Sequence, residues 1–266
     1  MTSERRSMAL VTGASAGIGV AYAERLARDG WNIIITGRRS DRLEDLSRRL
    51  HSQYGVEVEP VVADLATDAG IREIDELCRQ RELDMLVNNA GLAHYMPFLD
   101  LPEADLRALV SVDTLAPTLH SQSAARGMVE RGRGAIINLS SLLAFSDSAA
   151  LPTFPKRVVY ASTRAYIVMF SRLLAEELSG AGVKVVVVCP GIVRTEFHSR
   201  QGMDMSQVPR LEPEDVVQAS LVSLENGEVV CIPTLEDPGL IAAHDEAQGM
   251  MLRTAFPPNL ATRYKS

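Results

Sequence analysis

The sequence predicts a single-domain α/β protein, centred on one doubly wound parallel sheet of about seven strands with helices on both faces. Two patterns predict this fold. Strand-like and helix-like segments alternate along the whole chain, as they do in consecutive βαβ crossovers. Strand-like runs such as IIIT and VVVV contain almost only apolar, β-branched residues, which is typical of parallel strands that helices cover on both sides.

Each element follows from hydrophobic spacing. Apolar runs rich in β-branched residues predict strands at residues 8–12, 31–36, 56–62, 85–88, 135–139, 183–188 and 229–233. Apolar residues three and four apart predict helices at residues 18–28, 40–51, 67–81, 102–130, 158–178 and 213–224. The helix over residues 102–130 allows a bend near Pro117, because proline lacks the backbone N–H that a helix interior uses.

No linker or break in composition divides the chain, so residues 1–266 are predicted to form one domain. The polar residues 1–7 are expected to be a flexible N-terminus. Residues 196–210, rich in Met, Gln, Ser and Gly, are expected to form a mobile lid over the site. Residues 238–266 are a C-terminal extension with a weaker helical pattern, which two consecutive prolines interrupt.

Composition argues against several classes of protein. The net charge of -7 does not favour a broad nucleic-acid surface. Cys78, Cys189 and Cys231 are far apart in sequence, so they predict neither a metal site nor a disulfide framework and favour a reducing, cytoplasmic compartment. No apolar run approaches the length of a membrane span, and no signal peptide is expected.

A glycine-rich segment, TGASAGIG at residues 12–19, lies between the first predicted strand and the first predicted helix. Glycines let the backbone turn tightly and approach a pyrophosphate, while the helix directs its N-terminal N–H groups at the phosphates. The segment therefore predicts a Rossmann-like, dinucleotide-binding fold, with a ligand-free turn as the alternative. The candidate cofactor contacts are Gly13, Ser15, Gly17, Ile18 and Gly19.

Two arginines follow the second predicted strand and favour NADP(H) over NAD(H). In such folds an acidic residue about 20 positions past the glycines holds the ribose 2′-hydroxyl. Arg38 and Arg39 stand in that region here, and a guanidinium suits a phosphate through charge and forked hydrogen bonds. The alternative is that both arginines are solvated at a helix start. Asp64 and Leu65, after the third strand, are candidates for the adenine edge.

Over about residues 8–235 the chain resembles the short-chain dehydrogenase/reductase family. The motifs are TGASAGIG at 12–19, NNAG at 88–91, INLSS at 137–141, Tyr160, and PG at 190–191 followed by Thr195. The resemblance implies an NADP-dependent oxidoreductase that transfers a hydride between nicotinamide and a carbonyl or alcohol. In such enzymes the cofactor carries the hydride, and the protein supplies positioning and a proton.

The same resemblance assigns roles to individual positions. Tyr160 is the proton donor or acceptor, and Ser141 orients the carbonyl. The remaining implied cofactor contacts are Asn88, Asn89, Ala90 and Gly91 after the fourth strand, and Pro190, Gly191, Ile192, Val193 and Thr195 beside the nicotinamide. Ionising a tyrosine at neutral pH means lowering its pKa from near 10 to about 7, roughly 4 kcal/mol, of which a nearby cation supplies part.

Two positions depart from the family pattern. The family has YxxxK, whereas residues 160–164 read YASTR, which places Arg164 on the same helix face as Tyr160. Arginine keeps the positive charge and can bond the ribose hydroxyls, but it passes on no proton. Asp113 stands where the family usually has asparagine. We hypothesise that Asp113 and Arg164 form a buried ion pair and count both with Ser141 and Tyr160 as catalytic candidates.

The interval between Ser141 and Tyr160 is longer than usual for the family. The additional residues fall within 146–157 and predict a loop near the site mouth, or else an exposed insertion without a role. Mostly apolar candidates for the substrate pocket indicate an apolar or aromatic carbonyl or alcohol, although core or lid packing explains each of them as well. The favoured contacts are His94, Leu143, Phe154 and Phe197, and the wider set adds Tyr95, Met96, Leu142, Phe145, Val193, Met203 and Met205.

The resemblance also implies a homodimer or homotetramer in which the helices over residues 102–130 and 158–178 pair with a twofold mate. The core of a monomer is the alternative place for their apolar residues. The candidates for this contact are Ala165, Ile167, Val168 and Leu173.

Two other functions stay open. Ser141, Tyr160 and Arg164 match in type the Ser-Tyr-Arg triad of halohydrin dehalogenases, which are lyases that resemble this family and bind no nicotinamide. Those enzymes lack an intact glycine cradle, which this chain keeps at residues 12–19. A non-catalytic NADP(H)-sensing protein would keep the cradle and lose the proton relay, as the missing lysine suggests, but Ser141 and Tyr160 are both present.

Overall fold

Seven parallel strands form one sheet in the computed structural model, which describes residues 5–146 and 156–265. They are β1 (Met8–Thr12), β2 (Asn32–Gly37), β3 (Val58–Val62), β4 (Met85–Asn88), β5 (Gly134–Leu139), β6 (Val183–Val188) and β7 (Val230–Cys231). Their order is β3-β2-β1-β4-β5-β6-β7. β2 and β3 lie on one side of β1, whereas β4 to β7 lie on the other, so the order in which strands are added reverses between β1 and β4. Doubly wound sheets bind ligands at this point, outside the carboxyl ends of the strands. The predicted fold class is confirmed.

Helices cover both faces of the sheet. They are α1 (Gly17–Arg28), α2 (Ser40–Tyr54), α3 (Asp68–Gln80), α4 (Glu103–Val110), α5 (Ala116–Glu130), α6 (Val158–Glu177), α7 (Pro213–Asn226) and α8 (Gly239–Ala255). Ala9 and Val11 of β1 pack in a cluster with α1, α2 and α7, whereas Leu10 packs in a second cluster with α3 and α5. Successive strand residues point to opposite faces, so a strand that is apolar throughout requires a helical layer on each side.

Two predicted elements differ from the observed ones. The helix expected over residues 102–130 is interrupted by a π-helical turn at Ser111–Leu115, which separates α4 from α5. Pro117 lies in the first turn of α5, directly after this π-helical turn. The last strand is also shorter than residues 229–233, since it pairs with β6 only at Val230 and Cys231.

The contacts divide the chain into two compact units, one up to Pro233 and one of residues Thr234–Ser266. The second unit holds α8, in which the structure buries no residue. Its helix ends at Ala255, just before the two prolines that the sequence places there. No helix among the described residues has both the length and the apolar character that crossing a membrane requires.

Candidate functional site

The glycines after β1 stand where no side chain fits. Gly13 has φ +69°, and a Cβ on it would lie 2.8 Å from the Cα of Ala90. A Cβ on Gly19 would overlap the carbonyl oxygen of Gly13. Gly17 has φ +53°, and a Cβ there would lie 2.7 Å from Cγ2 of Thr195. The sequence from β1 into α1 thus presents bare backbone at the switch point of the sheet, as a pyrophosphate cradle requires.

Thr12, which the sequence reasoning did not single out, fixes the cradle to the end of β4. Its Oγ1 accepts hydrogen bonds from the backbone N–H groups of Asn89 and Ala90, both at 3.0 Å. Asn89 returns a bond of 2.8 Å from Nδ2 to the carbonyl oxygen of Thr12. The NNAG motif is therefore hydrogen-bonded to the cradle itself. In the sequence, Thr12 was indicated only by its place as the first residue of TGASAGIG.

Helix α1 points an uncapped N-terminus at the cradle. Among the described residues, no side chain caps the N-terminus of α1 at Ala16, and the first turn of the helix contains no acidic residue. The free N–H groups and the positive end of the helix dipole therefore suit an anion. The predicted contacts Gly13, Gly17 and Gly19 thus lie together, and Ile18 is half-buried at the start of the helix.

Arg39 lies on the phosphate loop, whereas Arg38 is exposed. Arg39 donates from Nη2 to Oγ of Ser15 at 3.0 Å and to its carbonyl oxygen at 2.9 Å. Glu196, the first residue of the predicted lid, was not among the predicted site residues, but it also pairs with Arg39 at 2.8 Å. The carboxylate of Glu196 further contacts Arg42 at 3.2 Å and Arg200 at 2.5 Å. We call Arg39, Arg42 and Arg200 the arginine cluster.

The residues predicted at the adenine edge lie after β3 as expected. Oδ1 of Asp64 accepts a hydrogen bond of 3.0 Å from the backbone N–H of Ala66, so the carboxylate is engaged in a local turn. Leu65 is buried in the core cluster on the α3 side of the sheet. Its side chain therefore contributes packing, and any contact to a ligand there would use its backbone.

Tyr160, in the first turn of α6, and Ser141, just after β5, are both buried and lie within hydrogen-bonding reach of each other. The backbone N–H of Leu143 donates to Oγ of Ser141 at 3.1 Å, which orients this hydroxyl. The neighbouring Ser140 donates from Oγ to the carbonyl oxygen of Arg164 at 2.8 Å and so fixes β5 to α6. The INLSS motif thus holds one serine for structure and one for the tyrosine.

The hypothesised ion pair between Asp113 and Arg164 is present. Nη2 of Arg164 lies 2.6 Å from Oδ2 of Asp113, and the two side chains are 5% and 0% exposed. The π-helical turn aims Asp113 inward, where its carboxylate also accepts from the backbone N–H of Leu92 at 2.9 Å and from Thr163 at 3.2 Å. Nη1 of Arg164 donates to the carbonyl oxygen of Leu139 at 3.1 Å. The guanidinium is thereby fixed in place.

Burial and charge act in opposite directions on these groups. Burial raises the pKa of Asp113, and Arg164 opposes that shift. Burial lowers the pKa of Arg164, but Asp113 and Tyr160 outweigh it, and the net shift is upward. The guanidinium of Arg164 therefore stays charged, and Asp113 is the counter-ion that a buried charge requires.

The pKa of the Tyr160 hydroxyl is raised above its usual value. Burial is the main cause, while the charge of Arg164 and hydrogen bonds with Ser141 and Tyr95 lower the pKa and only partly offset burial. The guanidinium carbon of Arg164 lies 5.0 Å from the centre of the Tyr160 ring. Tyr160 is accordingly a protonated phenol at neutral pH, held beside a cation that would stabilise its anion.

An apolar wall surrounds Tyr160. The ring of Tyr95 packs edge-on at a centroid distance of 5.5 Å, and that of Phe197 lies at 6.1 Å. Leu143 packs in the same cluster, whereas His94 is half-buried. Phe154, and with it most of the loop expected between residues 146 and 157, lies outside the described residues. Two of the four favoured substrate contacts, Leu143 and Phe197, thus adjoin the tyrosine.

The segment after β6 crosses the same end of the sheet. The carbonyl oxygen of the buried Pro190 accepts from the backbone N–H of Leu142 at 2.9 Å, which joins the PG motif to the serine segment. Ile192 and Val193 pair with Leu211, and Thr195 accepts from the backbone N–H of Phe197 at 3.2 Å. In residues 5–146 and 156–265, no group of three or more His, Cys, Asp or Glu side chains is placed to hold a metal ion.

Sequence comparison identifies relatives over most of the chain. The family model for short chain dehydrogenase matches residues 7–205. The very-long-chain 3-oxoacyl-CoA reductase of Homo sapiens is 34% identical over 193 residues, which are 71% of this chain and 60% of that protein. Hydroxysteroid dehydrogenase-like protein 1 of Gallus gallus is 37% identical over 194 residues, 72% of this chain and 57% of that one. The chain thus matches less than two thirds of these relatives' length.

Two solved structures are similar over nearly their whole length. A short-chain dehydrogenase from Sphingobium yanoikuyae, solved in complex with NADPH, is 33% identical with a TM-score of 0.91, covering 97% of this chain and 100% of that one. The bulky-bulky ketone specific alcohol dehydrogenase from Comamonas testosteroni is 28% identical with a TM-score of 0.87, covering 98% of this chain and 99% of that one.

Proposed function

Because the chain belongs to the short-chain dehydrogenase family, we propose that it is an NADP(H)-dependent reductase of carbonyl compounds with apolar substituents. The observation that carries this proposal is the position of Tyr160. It is a buried, protonated tyrosine within hydrogen-bonding reach of Ser141 and next to a charged guanidinium. It adjoins a wall of apolar side chains at the end of the sheet where the glycine cradle lies.

The residues present fit a dinucleotide with a 2′-phosphate. Gly13, Gly17 and Gly19 keep the cradle free of side chains, and Arg39 stands on the phosphate loop. Nε of Arg164 is buried without a hydrogen-bond partner among the described residues, and ribose hydroxyls are the acceptors expected beside it. Relatives of known structure with bound NADPH support the same choice. When bound, the nicotinamide supplies or accepts the hydride.

The protein's own part is to hold and deliver a proton. The raised pKa of Tyr160 keeps its hydroxyl protonated through neutral pH, so we propose that Tyr160 acts as the acid in carbonyl reduction. Ser141 orients the carbonyl oxygen toward the phenol, and Arg164 stabilises the phenolate that remains. Because arginine does not deprotonate in proteins, the proton that converts the Tyr160 phenolate back to the phenol does not pass through residue 164.

The side chains around Tyr160 support a bulky apolar substrate. Tyr95, Leu143 and Phe197 form its wall and contain no charged group. One relative is named for 3-oxoacyl-CoA and one structural relative for bulky-bulky ketones. We therefore propose a ketone with large apolar groups on both sides of the carbonyl.

The lyase alternative has no support among the relatives named above, and its Ser-Tyr-Arg triad here adjoins a cradle shaped for a pyrophosphate. The sensing alternative differs from the proposed function only in turnover. It is favoured by no observation of the described residues, because Ser141 and Tyr160 are both in place.

The experiment titrates the purified protein with NADPH and with NADH, following nicotinamide fluorescence, and then tests ketones in pairs matched for size. We expect tight NADPH binding, much weaker NADH binding, and reduction of bulky-bulky ketones in preference to methyl ketones. Tyr160→Phe should lower kcat by about 100-fold or more while NADPH binding stays unchanged. Binding of neither nucleotide would reject the proposal, and tight binding without turnover would favour a sensor.

We further propose a homo-oligomer formed through α5 and α6, in a reducing, cytoplasmic compartment. Of the four residues predicted for the contact, Ala165 and Leu173 are exposed, but Ile167 and Val168 are buried in the core of the same unit. Ile167 and Val168 lie on the side of α6 that packs against β6 of the sheet. Besides Leu173, the exposed apolar residues that support the contact are Val129 on α5 and Tyr166 and Met169 on α6, with Leu115 just before α5. Three free, buried cysteines support the compartment.

A further inference from the structure

A carboxylate of the predicted lid is held in the arginine cluster. Glu196 contacts Arg39 at 2.8 Å, Arg42 at 3.2 Å and Arg200 at 2.5 Å. Burial raises the pKa of Glu196, but a hydrogen bond from Arg39 and the charges of Arg200, Arg39 and Arg42 outweigh burial and lower it. Glu196 is therefore ionised at neutral pH, and three guanidinium groups converge on one anion.

The same cluster has the donors that a 2′-phosphate needs. Arg39 follows β2, where dinucleotide-binding folds recognise the ribose 2′ position, and it also holds Ser15 of the phosphate loop. Carboxylate and phosphate both bind guanidinium through forked hydrogen bonds. A phosphate at this position and the carboxylate of Glu196 would therefore draw on the same N–H groups.

The surroundings favour an anion even with Glu196 in place. Burial lowers the pKa of Arg200, and repulsion from Arg39, Arg38 and Arg42 lowers it further, although Glu196 opposes the shift, so the cluster keeps an excess of positive charge.

Glu196 also joins the cluster to the lid. It follows Thr195, whose side chain covers Gly17 of the cradle. Arg200, one turn further along, is held by the same carboxylate. Glu196 therefore connects the first residues of the predicted lid to Arg39 and Arg42.

We propose that Glu196 is a specificity-determining residue, whose carboxylate competes with the 2′-phosphate of NADP(H) for Arg39, Arg42 and Arg200. This inference rests on the proposed NADP(H)-dependent function. Glu196 weakens the binding of the phosphorylated cofactor and leaves that of NAD(H) almost unaffected, because the uncharged 2′-hydroxyl of NAD(H) does not compete with the carboxylate for the guanidinium groups. The preference for NADPH in the natural chain is thus smaller than its arginines alone would produce.

The test compares the dissociation constants of wild type and Glu196→Gln for NADPH, for NADH and for adenosine 2′,5′-bisphosphate. Fluorescence reports the two nicotinamide nucleotides, and calorimetry reports the bisphosphate. We expect Glu196→Gln to bind NADPH and the bisphosphate about three- to tenfold more tightly, with NADH changed by less than about twofold. Glu212→Gln is the matched control, because it removes the same charge from a residue that pairs with Arg194, at 2.6 Å, outside the cluster.

Each result separates the inference from the proposed function. Equal changes for NADPH and NADH, or weaker NADPH binding by Glu196→Gln, would overturn the competition while the wild-type titration still supported the cofactor. The same gain in Glu212→Gln would also overturn it, since a general charge effect would then explain the result. Failure of the wild type to bind any nucleotide would overturn both. Circular dichroism of each variant verifies that it is folded.

Discussion

Two of the places where arginine holds a carboxylate, the Asp113–Arg164 pair and the contacts of Glu196 in the arginine cluster, differ mainly in burial. Arg164 and Asp113 are 5% and 0% exposed and lie 2.6 Å apart. Glu196 is 32% exposed, and its partner Arg39 is 26% exposed at 2.8 Å. The chemical groups and distances are almost the same, yet we assign the first pair to the architecture of the catalytic centre and the second to cofactor selection.

The difference in burial explains why we assign different roles to these two sets of contacts. A buried charge without its partner has lost its hydration and gained nothing in return, so removing one member of such a pair is strongly destabilising. Exposed ion pairs contribute little, because water and salt replace the lost partner. The Asp113–Arg164 pair is therefore permanent and fixes the guanidinium beside Tyr160. The contacts of Glu196 are exchangeable, which a ligand-binding site requires.

The largest effect that this comparison predicts is that of Asp113→Asn. The change keeps the shape of the side chain but leaves the guanidinium of Arg164 charged and buried without a counter-ion. We expect a loss of about 3–5 kcal/mol in the free energy of unfolding, measured by urea denaturation. Glu103→Gln is the control, because it removes a carboxylate from a pair with Arg107 in which both side chains are about three quarters exposed. Unchanged stability of Asp113→Asn would contradict the pairing.

A smaller effect tests how tightly the buried guanidinium is fixed. A Cβ added to Gly91 would lie 2.8 Å from Nη2 of Arg164, which the ion pair prevents from moving away. We expect Gly91→Ala to cost about 1–3 kcal/mol of stability and to lower kcat with it. Gly180→Ala is the matched control, since a Cβ there meets no atom within 4 Å. Equal stabilities of the two variants would mean that Arg164 can move.

The sequence predicted the buried Asp113–Arg164 pair but not the partly exposed contacts of Glu196, for a physical reason. Two departures from one family pattern, an arginine for a lysine and an aspartate for an asparagine, are complementary in charge, so each predicts the other. Glu196 carries no such signal, because its partner Arg42 is 154 residues away and the contact exists only once the segment after β6 has folded onto α2.

Other parts of the fold were also predicted only in part. The doubly wound parallel sheet followed from the alternation of apolar strands and amphipathic helices, and the cradle from its glycines, but the order of the strands was not predicted. The phase of α6 did not follow, because this helix is apolar on its exposed side as well, at Tyr166, Met169 and Leu173. The π-helical turn was missed because its residues have ordinary helical spacing, and the hydrogen bond from the backbone N–H of Leu92 to Asp113 is seen only in the structure.

The smallest effect concerns the stability contributed by Glu196. Its pKa is lowered in the folded protein, so its contribution is present above the unfolded value and disappears as pH falls through the folded one. At neutral pH we expect Glu196→Gln to lose under about 1 kcal/mol, because the side chains are partly exposed. At 1 M salt, where the Debye length is about 3 Å, this loss should largely vanish, whereas that of Asp113→Asn should persist. Thermal melts of both variants at low and high salt measure the contrast. If salt moved the two variants equally, burial would not be what separates the two sets of contacts.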